Sequence, residues 1–268
     1  MLRAMGRPTP IRVVQWTAGN VARETVRAVL ARPDLELVGA YVRSAEKEGR
    51  DLAALCGLPD PTGIRATHDV DAVLALRPDC VVYTPLHFDF GEVVRILRAG
   101  VNVVTSSEFM TGRTLGVERQ RALEAAAVEG GASLFGSGMN PGFGQLLAAL
   151  ATGISRDVRH VRMVESVDVR LFAADSNMDG LCWGRSPHDP AVKGEIERAT
   201  AVFAEGLDVA ARVLAVPDYE PRCSVDCATA TRDLDIPGRP IAAGTIAGLD
   251  VRWEALVAVA QSTLQRGS

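Results

Sequence analysis

Two periods of apolar and polar positions alternate along the first half of the chain. Ile11, Val13 and Val14 make a short apolar run, and Val21, Thr25, Val26 and Val29 follow at helical spacing. This predicts a buried strand that turns through Ala18-Gly19-Asn20 into an amphipathic helix. The succession then repeats: strand Leu35 to Val42, helix Asp51 to Cys56, brief strand Ile64 to Thr67, helix Val70 to Leu76, strand Asp79 to Thr84, helix Phe90 to Leu97. Strand Val101 to Thr105, helix Leu115 to Val128 and strand Ala132 to Phe135 complete it. Such alternation argues an α/β, doubly wound parallel sheet.

Beyond Gly144 the period changes. An apolar helix from Gly144 to Ile154 is followed by Val158 to Val169, whose alternation is too long for another short parallel strand. A loop over 173–190, one long helix from Val192 to Leu214, and two extended segments, Arg222 to Ile236 and Pro240 to Val257, follow. The turn Pro237-Gly238-Arg239 separates the last two. The pattern predicts a nucleotide-binding domain over 1–141 and a smaller α+β substrate or dimerisation domain over 142–268.

Composition narrows the classes. Apolar residues make 47% and charged residues 23% of 268 positions, a globular balance with no run long enough to span a membrane. MLRAMGRPTP lacks the apolar core of a signal peptide and reads as a frayed leader. A net charge of −4 and the lack of basic runs interleaved with aromatics give no reason to expect nucleic acid. Cys56, Cys80, Cys182, Cys223 and Cys227 are scattered and odd in number, which points away from a disulfide framework and toward a reducing cytoplasm. Cys223 and Cys227 lack the second Cys/His pair of a zinc site, so no metal is expected. Lys47 and Lys193 are the only lysines, which confines any lysine chemistry to them.

The first strand-to-helix turn is the place for a pyrophosphate, held by the N–H groups of the new helix. Aligned on the dinucleotide fingerprint, the three glycine positions hold Thr17, Gly19 and Ala22, with Asn20 and Val21 opening the helix. After the second strand, where an acid would meet a free ribose hydroxyl, stand Arg43, Ser44, Lys47 and Arg50, a set suited to a 2′-phosphate. NADP is thereby favoured over NAD; the alternative is a solvated loop, since Glu46, Glu48 and Asp51 are interleaved. Thr84-Pro85-Leu86-His87 leaves the fourth strand where such sheets place ligand loops.

Glu108 leaves the fifth strand directly, at the edge where open α/β sheets bind ligands. Its neighbours Phe109 and Met110 suggest a desolvated carboxylate able to exchange protons near neutrality; an exposed helix-start glutamate is the other reading. In Gly136 to Phe143, glycines let backbone approach a flat ligand and Asn140 can bond a carboxamide, although a domain-crossover turn uses the same residues. Phe143, Phe172, Met178, Leu181, Cys182 and Trp183 offer apolar lining for a small-substrate pocket, or core packing.

VVQWTAGNVA, VVYTP, NVVTSSEF and FGSGMNPGF together resemble the native amine dehydrogenases, often labelled dihydrodipicolinate reductase-like, with 2,4-diaminopentanoate dehydrogenase as a relative. The resemblance runs from about Ile11 to about Val257. It implies a Rossmann domain, an α+β domain that helps build the pocket, a homodimer, and NAD(P)H-dependent reductive amination of small aldehydes or ketones with ammonia. It further implies that Glu108 holds the amine and handles protons around an iminium and that Asn140 lies beside the nicotinamide. Thr17, Gly19, Asn20, Val21, Arg43, Ser44, Lys47, Thr84 and Pro85 would bind the cofactor, and Phe143, Phe172, Met178, Cys182 and Trp183 would line the cavity.

Two departures accompany the resemblance: Thr17 and Ala22 replace glycine-type positions, with Gly19 kept, and the family continues for several tens of residues past GTIAGLDVRWEALV, so the late strands of the second domain are expected to be absent. The His-His-x-x-Lys-x-Asp-x-Pro-Ser-Gly-Thr run of true dihydrodipicolinate reductase does not occur. A diaminopentanoate dehydrogenase-like oxidoreductase acting on a larger amino acid, a dihydrodipicolinate reductase-like oxidoreductase, and a truncated, non-catalytic NADP-binding relative are the alternatives.

Overall fold

The computed structural model describes residues 9–216 and 218–257. The expected leader lies almost wholly outside them, as does AVAQSTLQRGS at the other end. The chain divides into two compact units between Gly142 and Phe143.

The first unit is a six-stranded, all-parallel sheet. Its strands are β1 (Ile11–Trp16), β2 (Leu35–Tyr41), β3 (Ala66–Thr67), β4 (Cys80–Tyr83), β5 (Asn102–Thr105) and β6 (Leu134–Gly136). Its helices are α1 (Asn20–Leu30), α2 (Leu52–Cys56), α3 (Val70–Ala75), α4 (Phe90–Arg98) and α5 (Val117–Gly130). The spatial order β3-β2-β1-β4-β5-β6 is that of the Rossmann fold. The strand order reverses direction between β1 and β4, and the carboxyl ends of these strands are where open α/β sheets of this kind place their ligands.

Local chemistry explains the elements. Ala22, Val26 and Val29 recur at helical spacing and form the buried stripe of α1. Asp51, Asp69 and Asp89 cap α2, α3 and α4 by accepting from backbone N–H groups in the first turns, which is why each helix starts where it does. One apolar core, including Val14, Trp16, Tyr83, Val93, Ile96 and Leu97, packs α4 and α5 on one face of the sheet. Ala22, Val26, Ala40, Val42 and Leu52 form another core around α1 and α2.

The second unit contains α6 (Gly144–Thr152), α7 (Val192–Ala199), α8 (Val202–Val213) and an antiparallel pair, β7 (Pro221–Thr229) and β8 (Ile246–Ala255). Three expectations are corrected here. The alternating segment 158–169 forms no strand, because a strand needs a neighbour to take its backbone bonds and none pairs with it among the described residues. The long helix is two helices: the Thr200 hydroxyl bonds back to the Ile196 carbonyl at 2.8 Å and accepts from Trp253 Nε1 at 3.1 Å, and the chain turns there. The extended segments are shorter than expected, β7 ending at Thr229 and β8 starting at Ile246, with only the Leu234–Ile241 bridge flanking the turn at Gly238. Among the described residues no helix is long and apolar enough to cross a membrane, and no three His, Cys, Asp or Glu side chains group as a metal site.

Candidate active site

Every site residue expected from the first 141 positions leaves the carboxyl end of a parallel strand. Thr17 to Val21 follow β1, Arg43 to Lys47 follow β2, Thr84 and Pro85 follow β4, Glu108 follows β5 and Asn140 follows β6. One sheet edge therefore carries all of them, with the adenosine-side candidates beyond β1 on one flank and Glu108 and Asn140 on the other.

The first turn is made at the unusual residue. Thr17 occupies the first glycine position of the fingerprint with φ of 74°, and its N–H donates to the Tyr41 carbonyl at 2.8 Å. A side chain added at Gly19 would meet nothing within 4 Å, so open space lies over the start of α1. No side chain caps that helix and no acid stands in its first turn. Its N–H groups and positive dipole end thus remain available to an anion, and this opening fits the pyrophosphate of a dinucleotide.

Beyond β2, Arg43 is bound to the protein itself. Its guanidinium donates to Glu92 Oε2 at 2.8 Å. The same oxygen accepts from Tyr83 OH at 2.6 Å and from Trp16 Nε1 at 3.2 Å. Trp16 is fully buried and stacks on Tyr41, with centroids 4.1 Å apart. Burial, and then the Glu92 carboxylate, push the Tyr83 phenol well above its ordinary range, so it stays a donor to Glu92. Ser44 precedes a 3-10 turn over Ala45–Lys47. Lys47 makes no ion pair among the described residues.

The β4 and β5 exits are tied together. Thr84 Oγ1 accepts from the buried Gln15 amide at 2.8 Å and donates to the Trp16 carbonyl at 3.1 Å. Ser107, also buried, donates from its hydroxyl to the Pro85 carbonyl. Next to it Glu108 takes φ of 38°, a left-handed conformation that turns its side chain outward while Phe109 enters the core and stacks on Phe88 at 5.1 Å. The Glu108 side chain is 53% exposed. The desolvated carboxylate expected beside Phe109 and Met110 is therefore not what the first unit provides. Glu108 accepts instead from the Phe88 N–H at 3.4 Å and faces His87 Nδ1 at 3.3 Å.

Gly136 ends β6 because nothing larger fits. A Cβ there would lie 2.4 Å from the Phe109 carbonyl oxygen and 2.6 Å from Met110 Cα, so the β6 exit is clamped to the loop carrying Glu108. Half-buried Asn140 follows in a kinked turn, joined to Pro141 by a cis peptide. A cavity of about 360 Å³ lined by Ile11, Val13, Leu35, Cys80 and Asn102 lies at the amino ends of the strands, the opposite edge from these groups.

The remaining candidates lie in the second unit. Phe143 begins it and is exposed; Met178 is half-buried in the 3-10 helix Ser176–Leu181. Cys182 is 1% exposed and packs in that unit's core with Val192, Ile196, Val225 and Ile246, with Trp183 against them. Burial, and then Glu195 3.5 Å from its sulfur, raise the Cys182 thiol and keep it protonated. The Phe172 side chain lies outside the described residues.

Sequence reading passed over Glu92, Tyr83 and Trp16 around Arg43; it placed His87 in the loop leaving the fourth strand but not beside Glu108. Glu92 had one local signal, its place three residues after the cap Asp89.

No family model matches the chain. An amine dehydrogenase of Streptomyces virginiae is 37% identical over 187 residues, 67% of this chain and 52% of that protein. The chain is homologous to amine dehydrogenases. A 4-hydroxy-tetrahydrodipicolinate reductase of Synechococcus elongatus is 31% identical to this homologue over 170 residues, 60% of the chain and 59% of the reductase. The homologue thus spans roughly half the length of the curated relatives it matches. The solved amine dehydrogenase of Mycobacterium smegmatis superposes with a TM-score of 0.72, covering 93% of this chain and 76% of that one at 24% identity, a likeness of fold.

Proposed function

We propose that this homologue is an NAD(P)H-dependent amine dehydrogenase, NADP-preferring, which aminates small aldehydes or ketones with ammonia. The observation that supports this most is the single sheet edge on which an open helix N-terminus, a basic loop, an outward-turned carboxylate and an asparagine follow β1, β2, β5 and β6. Thr17 to Val21 would bind the pyrophosphate through backbone N–H groups. Arg43, Ser44 and Lys47 would bind the 2′-phosphate, and Asn140 the nicotinamide carboxamide. When bound, the reduced nicotinamide supplies the hydride. Glu108 would hold ammonium, take a proton from it as the ammonia so formed adds to the carbonyl, return that proton to the carbinolamine hydroxyl as it leaves as water, and, a carboxylate again, stabilise the resulting iminium cation electrostatically. The Phe88 N–H and His87 fix where that carboxylate sits.

The reductase relatives favour a second reading, reduction of a cyclic imine without free ammonia. The homologue lacks the lysine-bearing run of that chemistry, and Lys47 and Lys193 stand after β2 and in α7. NADPH oxidation with a panel of carbonyls, with and without ammonia, separates the two. Ammonia-dependent turnover is expected; turnover only with preformed cyclic imines selects the reductase.

A homodimer is part of this proposal. The second unit leaves Leu146, Leu147, Leu150 and Ile154 exposed, an apolar row suited to a second copy.

A further inference from the structure

Arg43 stands where a 2′-phosphate would be read, yet an internal carboxylate already engages its guanidinium. Glu92 Oε2 lies 2.8 Å from Arg43 and is fixed by two further donors, Tyr83 OH at 2.6 Å and Trp16 Nε1 at 3.2 Å. The Asp89 cap on the Glu92 N–H, at 3.0 Å, anchors its backbone. The Glu92 side chain is only 17% exposed, so its field is poorly screened, whereas Arg43 is 44% exposed and faces solvent. A carboxylate held in this way does two things to an arriving phosphate. It orients the guanidinium, and it opposes the anion with a negative charge that cannot swing away.

We propose that Glu92 sets the cofactor specificity of this site: by neutralising Arg43 it restrains the preference for a 2′-phosphate and keeps the unphosphorylated dinucleotide acceptable. The inference rests on reading the Arg43–Lys47 loop as the adenosine-ribose site, and it makes Glu92 a specificity-determining residue carried by a different strand–helix unit from the loop it tunes. Lys47, without a carboxylate partner among the described residues, supplies the cation that is not offset.

Calorimetric titration of the full chain with adenosine 2′,5′-bisphosphate and with 5′-AMP tests this without turnover. Their affinity ratio reports the 2′-phosphate alone. Glu92→Gln keeps an oxygen for Tyr83 and Trp16 and removes the charge; it is expected to raise the ratio about tenfold, about 1.4 kcal/mol, with 5′-AMP affinity little changed. Glu92→Ser serves if the amide does not fold, with the same direction expected. Arg43→Ala is expected to lower the ratio. If Arg43→Ala lowers it and neither Glu92 variant raises it, the role of Glu92 is overturned while the cofactor site stands. If Arg43→Ala and Lys47→Ala both leave it unchanged, the site reading itself fails.

Discussion

Glu108 combines the proposed chemistry with a strained backbone, and replacing it with glycine separates the two. Its φ of 38° lies in the left-handed region, which costs a residue with a Cβ about 1–2 kcal/mol. Glycine escapes that cost but loses about 0.5–1 kcal/mol more than alanine through unfolded-chain entropy. The contacts with His87 and Phe88 disappear in either variant, and with the His87 and Glu108 side chains 73% and 53% exposed the pair contributes about 0–1 kcal/mol. Glu108→Gly is therefore expected to be more stable than Glu108→Ala by roughly 0.5–1 kcal/mol, the reverse of the order at a relaxed position. Urea unfolding followed by amide hydrogen exchange in β5 and β6 reads the first unit separately from the second. Both variants should lose turnover. If alanine proves the more stable by a similar margin, the strain assigned to this turn is not there.

Thr17→Gly follows the same logic at φ of 74° and should raise the midpoint of the first unit by a degree or more, read by scanning calorimetry. Gly136→Ala should destabilise that unit by about 1–3 kcal/mol, because the new methyl lands on the Phe109 carbonyl; an unchanged urea midpoint would contradict the clamp. In the second unit the Arg185 guanidinium, 2.6 Å from Asp189, holds that carboxyl below its usual range. A depressed carboxylate pKa gives stability that is present above the unfolded value of about 4 and is lost as pH falls through the folded one. Melting temperatures taken from pH 6 to pH 3 should therefore fall less steeply in Arg185→Met than in the parent.

Much of the first unit was legible because its signals are local. Each strand is a short apolar run, and aspartates at 51, 69 and 89 mark three helix starts. Thr17 was recognisable as standing at the first glycine position of the fingerprint, and the turn forms there with a positive φ. What escaped depends on partners distant in sequence. Arg43 meets a carboxylate 49 residues away, so its basic loop read as less neutralised than it is. The exposure of Glu108 could not be inferred from its apolar neighbours, because φ at that residue decides which side chains turn inward. In the second unit, alternation over 158–169 suggested a strand, but pairing depends on a neighbour that pattern alone does not supply. Thr200 broke a continuous helical pattern through a bond to Trp253, 53 positions later.

The most direct test is the ammonia-dependent rate of NADPH oxidation with a short aldehyde or cyclic ketone, in the parent and in Glu108→Gln, with NADPH binding measured in both. Turnover in the parent, its loss on amidation and unchanged NADPH affinity are the predicted results. Equal turnover in the two proteins would contradict the assignment of the carboxylate after β5 as the group that manages charge and protons at the reacting carbon.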